Sequence, residues 1–171
     1  LVLFGYYNPL LQRGLGRVAA EARDAGVDGL LVVDLPPEEA GELDDALGQV
    51  GLARVPLLAP TTSLARARAI VERASGFAYY VALTGVTGAG HLDVADVGRR
   101  AAALRPALGG LPLAVGFGVR DPASARALAA HCDAVVVGSA LVQAIADAPD
   151  AAGRRAAAYE RVRALKAALT S

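Results

Sequence analysis

The sequence lacks most of the features that would assign it to a specialised class of protein. It contains one cysteine, Cys132, so an internal disulfide and a thiol-rich metal site are both excluded. No apolar run approaches the roughly 18 residues that a membrane-spanning helix needs. Basic and acidic residues balance at 17 each, so no charge excess points to nucleic acid or an anionic membrane as a partner. No secretory leader opens the chain, and we therefore expect a cytoplasmic protein.

Several catalytic motifs are missing as well. There is no Gly-x-x-x-x-Gly-Lys nucleotide loop, and Gly116-Phe117-Gly118 lacks the third glycine of a dinucleotide fingerprint. His91 and His131 are isolated from acids and from one another, so the sequence predicts neither a catalytic triad nor a metal site.

What the chain does contain is an alternation of short apolar runs and amphipathic stretches. Hydrophobic residues make up 54% of it, which favours a folded protein. We predict about six strands, over residues 1–4, 29–33, 54–58, 77–83, 113–115 and 134–137. Helices are predicted over about 14–25, 38–50, 64–74, 93–108 and 151–169, and from Pro122 and Ser139.

This alternation predicts an α/β fold with a parallel sheet and right-handed crossovers, in a single domain over residues 1–171. An open doubly wound sheet and a closed (β/α)8 barrel both fit the pattern. A barrel needs eight strands, so this chain would be two βα units short of one.

The last two predicted strands each end in a glycine turn. Gly116-Phe117-Gly118 follows one strand, and Gly138-Ser139 follows the next and opens a helix. Glycines let an anion approach the backbone, and the N–H groups at a helix N-terminus point toward it. Phosphate-binding barrels commonly place their site after these two strands. We therefore predict a phosphate site here, with two ordinary turns as the alternative.

Residues near the ends of the other strands are mostly apolar or aromatic. They predict a wall for a flat hydrophobic group, with ordinary core as the alternative for each. The wall residues are Phe4, Tyr6, Leu31, Val33, Leu58, Tyr79 and Phe117. The glycine-rich segment 84–90 has the composition of a lid that closes over a substrate, or of a flexible surface loop. Asp34 also ends a strand, where a catalytic acid is expected, although an N-cap or loop-ordering role competes.

Eight segments, in order along nearly the whole chain, together resemble the alpha subunit of tryptophan synthase. They are GYYNP (5–9), AGVDG (25–29), DLPPEE (34–39), LAPTT (58–62), GFAYY (76–80), TGVTG (84–88), VGFG (115–118) and VGSA (137–140). Many phosphate-binding barrels share the glycine turns, but the paired prolines and the TGVTG segment are more particular. These two argue against indole-glycerol-phosphate synthase or an epimerase.

The resemblance implies a retro-aldol lyase of tryptophan biosynthesis that splits indole-3-glycerol phosphate into indole and glyceraldehyde 3-phosphate. It implies an alpha2beta2 assembly with a beta subunit that holds pyridoxal phosphate, and no cofactor in this subunit. By the resemblance, phosphate would be held by Gly88, Gly118, Gly138 and Ser139. Tyr6, Tyr79 and Phe117 would surround the indole, with Tyr79 also near the catalytic glutamate. Thr87 would position the catalytic aspartate, while Asp34 and Pro36 would face the beta subunit.

The chain departs from the family at its start, which resembles strand 3 of eight. The fold expected from the resemblance is therefore an incomplete TIM barrel with strands 3 to 8 and surrounding helices. The family's catalytic glutamate and aspartate have no counterpart in these residues. We expect either a lyase subunit that is inactive in this form or a non-catalytic phosphate-binding or partner-binding remnant. Unpaired sheet edges also predict self-association or poor stability of the isolated chain.

Overall fold

The computed structural model describes residues 1–82, 93–116 and 118–170, which form two compact units. Unit 1 contains residues 1–79 and 104–112, and unit 2 contains residues 80–103 and 113–171. The expectation that residues 1–171 make a single domain stays a prediction. None of the helices in the described ranges is both long enough and apolar enough to cross a membrane.

The described elements alternate between strands and helices as the sequence predicts. The strands are β1 (Val2–Gly5), β2 (Gly29–Val32), β3 (Ala53–Arg54), β4 (Leu57–Leu58), β5 (Ala78–Val81), β6 (Leu113–Gly116) and β7 (Ala134–Val136). The helices are α1 (Tyr7–Arg13), α2 (Leu15–Asp24), α3 (Gly41–Val50), α4 (Leu64–Val71), α5 (Val94–Leu104), α6 (Pro122–Ala129), α7 (Ser139–Ala146) and α8 (Ala151–Thr170). Two 3₁₀ helices, Pro37–Glu39 and Arg105–Ala107, complete the set.

In unit 1, strands β1, β2 and β3 are hydrogen-bonded in that order and run parallel. Leu30 and Val32 of β2 face a layer of helices and pack with apolar residues of α2 and α3. Because successive strand residues point to opposite faces, Leu31 points away from that layer. Leu31 is nonetheless only 2% exposed, so β2 is covered on both faces, as parallel strands usually are.

The predicted strand over residues 54–58 is divided in the structure. Val55 N donates to Leu30 O, so this part pairs with β2, whereas Pro56 O accepts from Tyr79 N and pairs with β5. Proline has no N–H to give to a ladder, and the change of partner falls at this residue. The segment is thus two short strands, β3 and β4, rather than the single strand that the sequence predicted.

Helix α1 was not predicted from the sequence. It has seven residues, Pro9 lies within it, and Tyr6 supplies no side-chain cap. Its stabilising contacts are distant in the chain: the Tyr7 N–H donates to Asp34 Oδ1 at 2.8 Å, and Tyr7 and Leu10 pack on the core of unit 1. A carboxylate at the positive end of the helix satisfies an N–H that has no partner within it.

In unit 2, β6 and β7 are parallel, and helix α8 packs on both α6 and α7. Helix α6 begins where the sequence predicts, with Asp121 as N-cap and Pro122 as the first helical residue. Asp121 accepts from Ser124 N at 2.8 Å, and Ser124 Oγ accepts in return from Asp121 N at 3.3 Å. This reciprocal capping box fixes the entry of the chain into α6.

Candidate functional site

The aromatic part of the predicted wall lies in unit 1. Phe4 of β1 and Tyr79 of β5 meet edge to face, with ring centroids 6.1 Å apart and planes inclined at 72°. Phe4 is also the parallel-register neighbour of Leu31, which places both on the sheet face that points away from α2 and α3. The structure therefore brings Phe4, Leu31 and Tyr79 to the same face of unit 1.

The wall residues differ in their exposure. Leu31 and Leu58 are 2% and 0% exposed, and Tyr79 is 6% exposed, whereas Phe4 and Tyr6 are 58% and 65% exposed. The leucines thus have the burial of core side chains, and the two exposed aromatic rings are those free to meet a ligand. These two rings lie in and just after β1, whose residues are all half-buried or exposed.

The two tyrosines of β5 lie in different surroundings. Burial raises the pKa of both phenols, and the pKa of Tyr80 is also influenced by Arg100 and Asp96. Arg100 and Asp96 are on α5, so Tyr80 faces that helix in unit 2, while Tyr79 faces Phe4 in unit 1. The Tyr79 phenol, like any tyrosine, is protonated at neutral pH and can donate a hydrogen bond, and the raised pKa extends this to more alkaline pH.

Asp34 lies on the surface beside α1 and serves a structural purpose there. Its carboxylate accepts the Tyr7 N–H described above, which agrees with the loop-ordering role weighed from the sequence. Pro36, two residues on, is exposed and precedes the 3₁₀ helix. Both residues are accessible in unit 1, and their contact with a beta subunit stays a prediction.

The predicted phosphate turn lies in unit 2, at the start of α7. Gly138 is the N-cap of this helix and Ser139 is its first residue, and both are exposed. Leu141 N and Val142 N both donate to Gly138 O, at 2.9 and 3.1 Å. The N–H groups of Ser139 and Ala140 precede the first intrahelical bonds, so they point out of the helix end.

Two features make this helix end suitable for an anion. No side chain caps α7, whereas the N-terminus of α6 is already occupied by the Asp121 carboxylate. A Cβ built on Gly138 would meet no heavy atom within 4 Å, so the space in front of the helix is open. Of these two helix ends in unit 2, α7 is therefore the one that is free to bind phosphate.

Gly118 belongs to the same unit and has a φ of +81°, a conformation that strongly favours glycine. The sequence places it in the turn after β6, where the first predicted glycine turn falls. Thr87, Gly88 and Phe117 lie outside the described residues, and with them the segment 84–90.

Sequence reasoning missed one residue that contacts the backbone just after the first glycine turn. Arg161 on α8 donates from a terminal guanidinium nitrogen to Arg120 O at 2.6 Å, two residues after Gly118. One arginine among several on a long helix carries no local signal, because its contact lies 41 positions away in the chain. Only the packing of α8 against α6 reveals it.

Comparisons with known proteins agree on one family. The family model for the tryptophan synthase alpha chain matches residues 1–170. A tryptophan synthase alpha chain from Chromobacterium violaceum is 58% identical over 145 residues, which is 85% of this chain and 55% of the relative. The corresponding protein of Laribacter hongkongensis is 52% identical over 169 residues, covering 99% of this chain and 61% of the relative. The chain thus spans little more than half the length of the curated relatives it matches.

Solved structures give the same result. A crystal structure of the tryptophan synthase alpha chain from Legionella pneumophila superposes with a TM-score of 0.83 and 35% identity, covering 99% of this chain and 62% of that one. A structure of the tryptophan synthase α2β2 complex from Pyrococcus furiosus gives 0.83 and 35%, covering 97% and 66%. The family model covers residues 1–170, and both relatives and solved structures match over most of the chain. The chain therefore belongs to the tryptophan synthase alpha chain family.

Proposed function

We propose that this chain contributes the phosphate-binding and indole-facing parts of a tryptophan synthase alpha subunit, with strands 3 to 8 of a (β/α)8 barrel. The reaction is the retro-aldol cleavage of indole-3-glycerol phosphate to indole and glyceraldehyde 3-phosphate. The observation that carries the proposal is the uncapped, exposed N-terminus of α7 at Gly138 and Ser139, in a member of this family. By the resemblance to this family, no cofactor is assigned to this subunit.

In this proposal the Ser139 and Ala140 N–H groups bind the phosphate, together with the backbone at Gly118 and Gly88. The partial positive charge at the start of α7 adds to these hydrogen bonds. Phe4 and Tyr6 offer exposed aromatic surface for the indole ring, and the buried Tyr79 ring packs against Phe4.

Cleavage also needs groups that move protons at the indole, and such a group typically contributes about 10²–10⁴-fold in rate. The resemblance assigns this work to a glutamate and an aspartate without counterparts among these 171 residues. The Tyr79 phenol, Thr87 and the exposed aromatic rings would orient those groups and the substrate. We therefore expect residues 1–171 to bind the phosphate ester and to release no indole by themselves.

Binding is tested by titrating the ¹⁵N-labelled chain with glycerol 3-phosphate and following the amide signals of Ser139, Ala140 and Gly118. We expect saturable shifts at these residues. In Gly138→Asp, a carboxylate at the N-cap would occupy the free N–H groups as Asp121 does on α6, so binding should be lost. Ala151→Asp, which adds the same charge at the start of α8, is the matched control and should bind normally.

Catalysis is tested by a colorimetric assay for indole with indole-3-glycerol phosphate as substrate. Turnover by a verified 171-residue chain would contradict the assignment of the proton-transfer groups. If the unaltered chain does not bind glycerol 3-phosphate, the phosphate site itself is contradicted. The chain would then be a family member that lacks this function.

We also propose that the chain assembles with a tryptophan synthase beta subunit, as an α2β2 pair, through the surface around Asp34 and Pro36. Both residues are exposed, and the chain is similar to the alpha subunit of the Pyrococcus furiosus α2β2 complex. Pro36→Arg should weaken association with the beta subunit in a co-sedimentation assay. Asp34→Asn separates the two roles of Asp34, because the amide oxygen still accepts from Tyr7 N while the negative charge is lost.

A further inference from the structure

Arg161 lies on α8 and reaches the backbone just after the first glycine turn of unit 2. Its guanidinium donates to Arg120 O at 2.6 Å. Arg120 N and Asp121 N are directed at Ser124 Oγ, at 3.4 and 3.3 Å. The peptide groups that follow Gly118 are therefore held from two sides, by Ser124 through their N–H groups and by Arg161 through a carbonyl.

The electrostatic surroundings agree with this geometry. The pKa of Asp121 is lowered, chiefly by the hydrogen bond from the Ser124 N–H and to a smaller extent by the charge of Arg161. Val119, between Gly118 and Arg120, is only 5% exposed, which anchors the same segment by packing. Packing and hydrogen bonds thus hold residues 119–121 in place directly after Gly118, whose φ is +81°. A glycine has more backbone freedom than any other residue, so these contacts limit the conformations of the turn.

Arg161 also has a feature that a purely stabilising residue would avoid. Its Nε atom is enclosed and has no acceptor among the described residues. A buried donor without an acceptor reduces the stability of a fold, and this offsets what the bond to Arg120 O contributes. A local conflict of this kind is more typical of a functional position than of a structural one.

We infer that Arg161 is a positioning residue for phosphate binding: it holds the Gly118–Asp121 backbone in the conformation that receives the anion. The inference rests on the proposed function and deepens it. Arg161 itself does not contact the phosphate in this account. It acts through Arg120 O, so that the turn is ordered before the ligand arrives and binding does not have to order it.

The experiment compares Arg161→Met, which keeps much of the apolar stem, with Arg161→Lys, which keeps a donor, and with Arg163→Met as the control. Arg163 is on the same helix but pairs with Glu160 at the surface, 2.6 Å away. Each full chain is titrated with glycerol 3-phosphate while the amide signals of Gly118 and Ser139 are followed, and each is melted by differential scanning calorimetry.

We expect Arg161→Met to bind glycerol 3-phosphate about tenfold more weakly, with faster hydrogen exchange at Arg120 and nearly unchanged thermal stability. Arg161→Lys should recover part of the affinity, and Arg163→Met should match the unaltered chain. Unchanged affinity of Arg161→Met for glycerol 3-phosphate would overturn the inference. It would also be overturned if Arg161→Met unfolds or loses thermal stability in parallel with affinity, because Arg161 would then have a structural role only. An unaltered chain that binds nothing at Gly118 and Ser139 would overturn the proposed function itself, an outcome distinct from a failure confined to the variants.

Discussion

Asp44 and Arg54 form an ion pair that is nearly closed to water, and removing one partner should destabilise unit 1 strongly. Arg54 Nε donates to Asp44 Oδ1, and the two side chains are 11% and 5% exposed. Arg73 Nε lies 3.9 Å from Asp44 Oδ2, which is too long for a hydrogen bond. Asp44 on α3 is therefore the principal counter-charge for Arg54 on β3.

The size of the effect follows from what remains around Arg54 in the variant Asp44→Ala. Breaking a buried pair usually costs about 3–5 kcal/mol, because the remaining charge is left without compensation. Arg54 would keep a 3.5 Å contact to Ile70 O, and it borders a cavity of about 80 Å³ that has room for water. Partial hydration favours the lower end, so we expect a loss of about 3 kcal/mol in the free energy of unfolding. With a urea dependence of about 1–3 kcal/mol per molar, the unfolding midpoint should fall by about 1–3 M.

Urea unfolding followed by circular dichroism measures this loss, and two further variants sharpen it. Asp45→Ala removes the neighbouring carboxylate, which is 65% exposed and pairs with Arg73, so it should cost less than about 1 kcal/mol. The double variant Asp44→Ala/Arg54→Met removes both charges and should recover most of the loss. The reasoning is refuted if Asp44→Ala costs no more than Asp45→Ala, or if the double variant is less stable than the single one.

Two further predictions concern unit 1. The pKa of Glu21 is lowered from 4.5 to about 2, mainly by a hydrogen bond from Arg13. Because the pKa of this carboxylate is lowered, its pairing with Arg13 stabilises the fold fully above pH 4.5, and this stabilisation is lost as the pH falls toward 2. Carboxyl NMR should find the titration midpoint of Glu21 near 2, and a midpoint at the ordinary value would contradict the pairing. Gly29→Ala would place a Cβ 2.7 Å from Ala53 O, so it should lower the free energy of unfolding by about 1–3 kcal/mol. In the control Gly5→Ala the new Cβ meets no atom within 4 Å, so the loss should be far smaller. Equal melting temperatures for the two variants would disprove the clash.

Local signals predicted many of the elements correctly, because they depend on neighbours in the chain. The start of α6 at Pro122 and the start of α4 at Leu64 were both placed at the residue, and in the structure Asp121 and Ser63 cap these helices. The predicted helix over 93–108 was too long by one turn: α5 ends at Leu104 and passes into a 3₁₀ helix that contains Pro106, which cannot donate within an α-helix.

The residues of the candidate site also differ in whether local signals could identify them. Glycine turns after strands and a serine at a predicted helix start are local patterns, so Gly118, Gly138 and Ser139 could be selected as candidates from the sequence. Whether an apolar strand residue faces a ligand or the core depends on its neighbours in space. Leu31 and Leu58 turned out to be almost wholly buried, while Phe4 and Tyr6 are exposed.

The sequence by itself determined the alternation of strands and helices, the capping of α6 and the glycine turns of unit 2, because each is decided by residues within a few positions of one another. The tertiary structure decided the rest. It decided that α1 forms, since its first N–H is satisfied by Asp34, and that the segment around Pro56 changes partner from β2 to β5. It also decided that Arg161 holds Arg120 O from 41 positions away. Such contacts exist only once the chain has folded and brought distant polar groups within hydrogen-bonding distance.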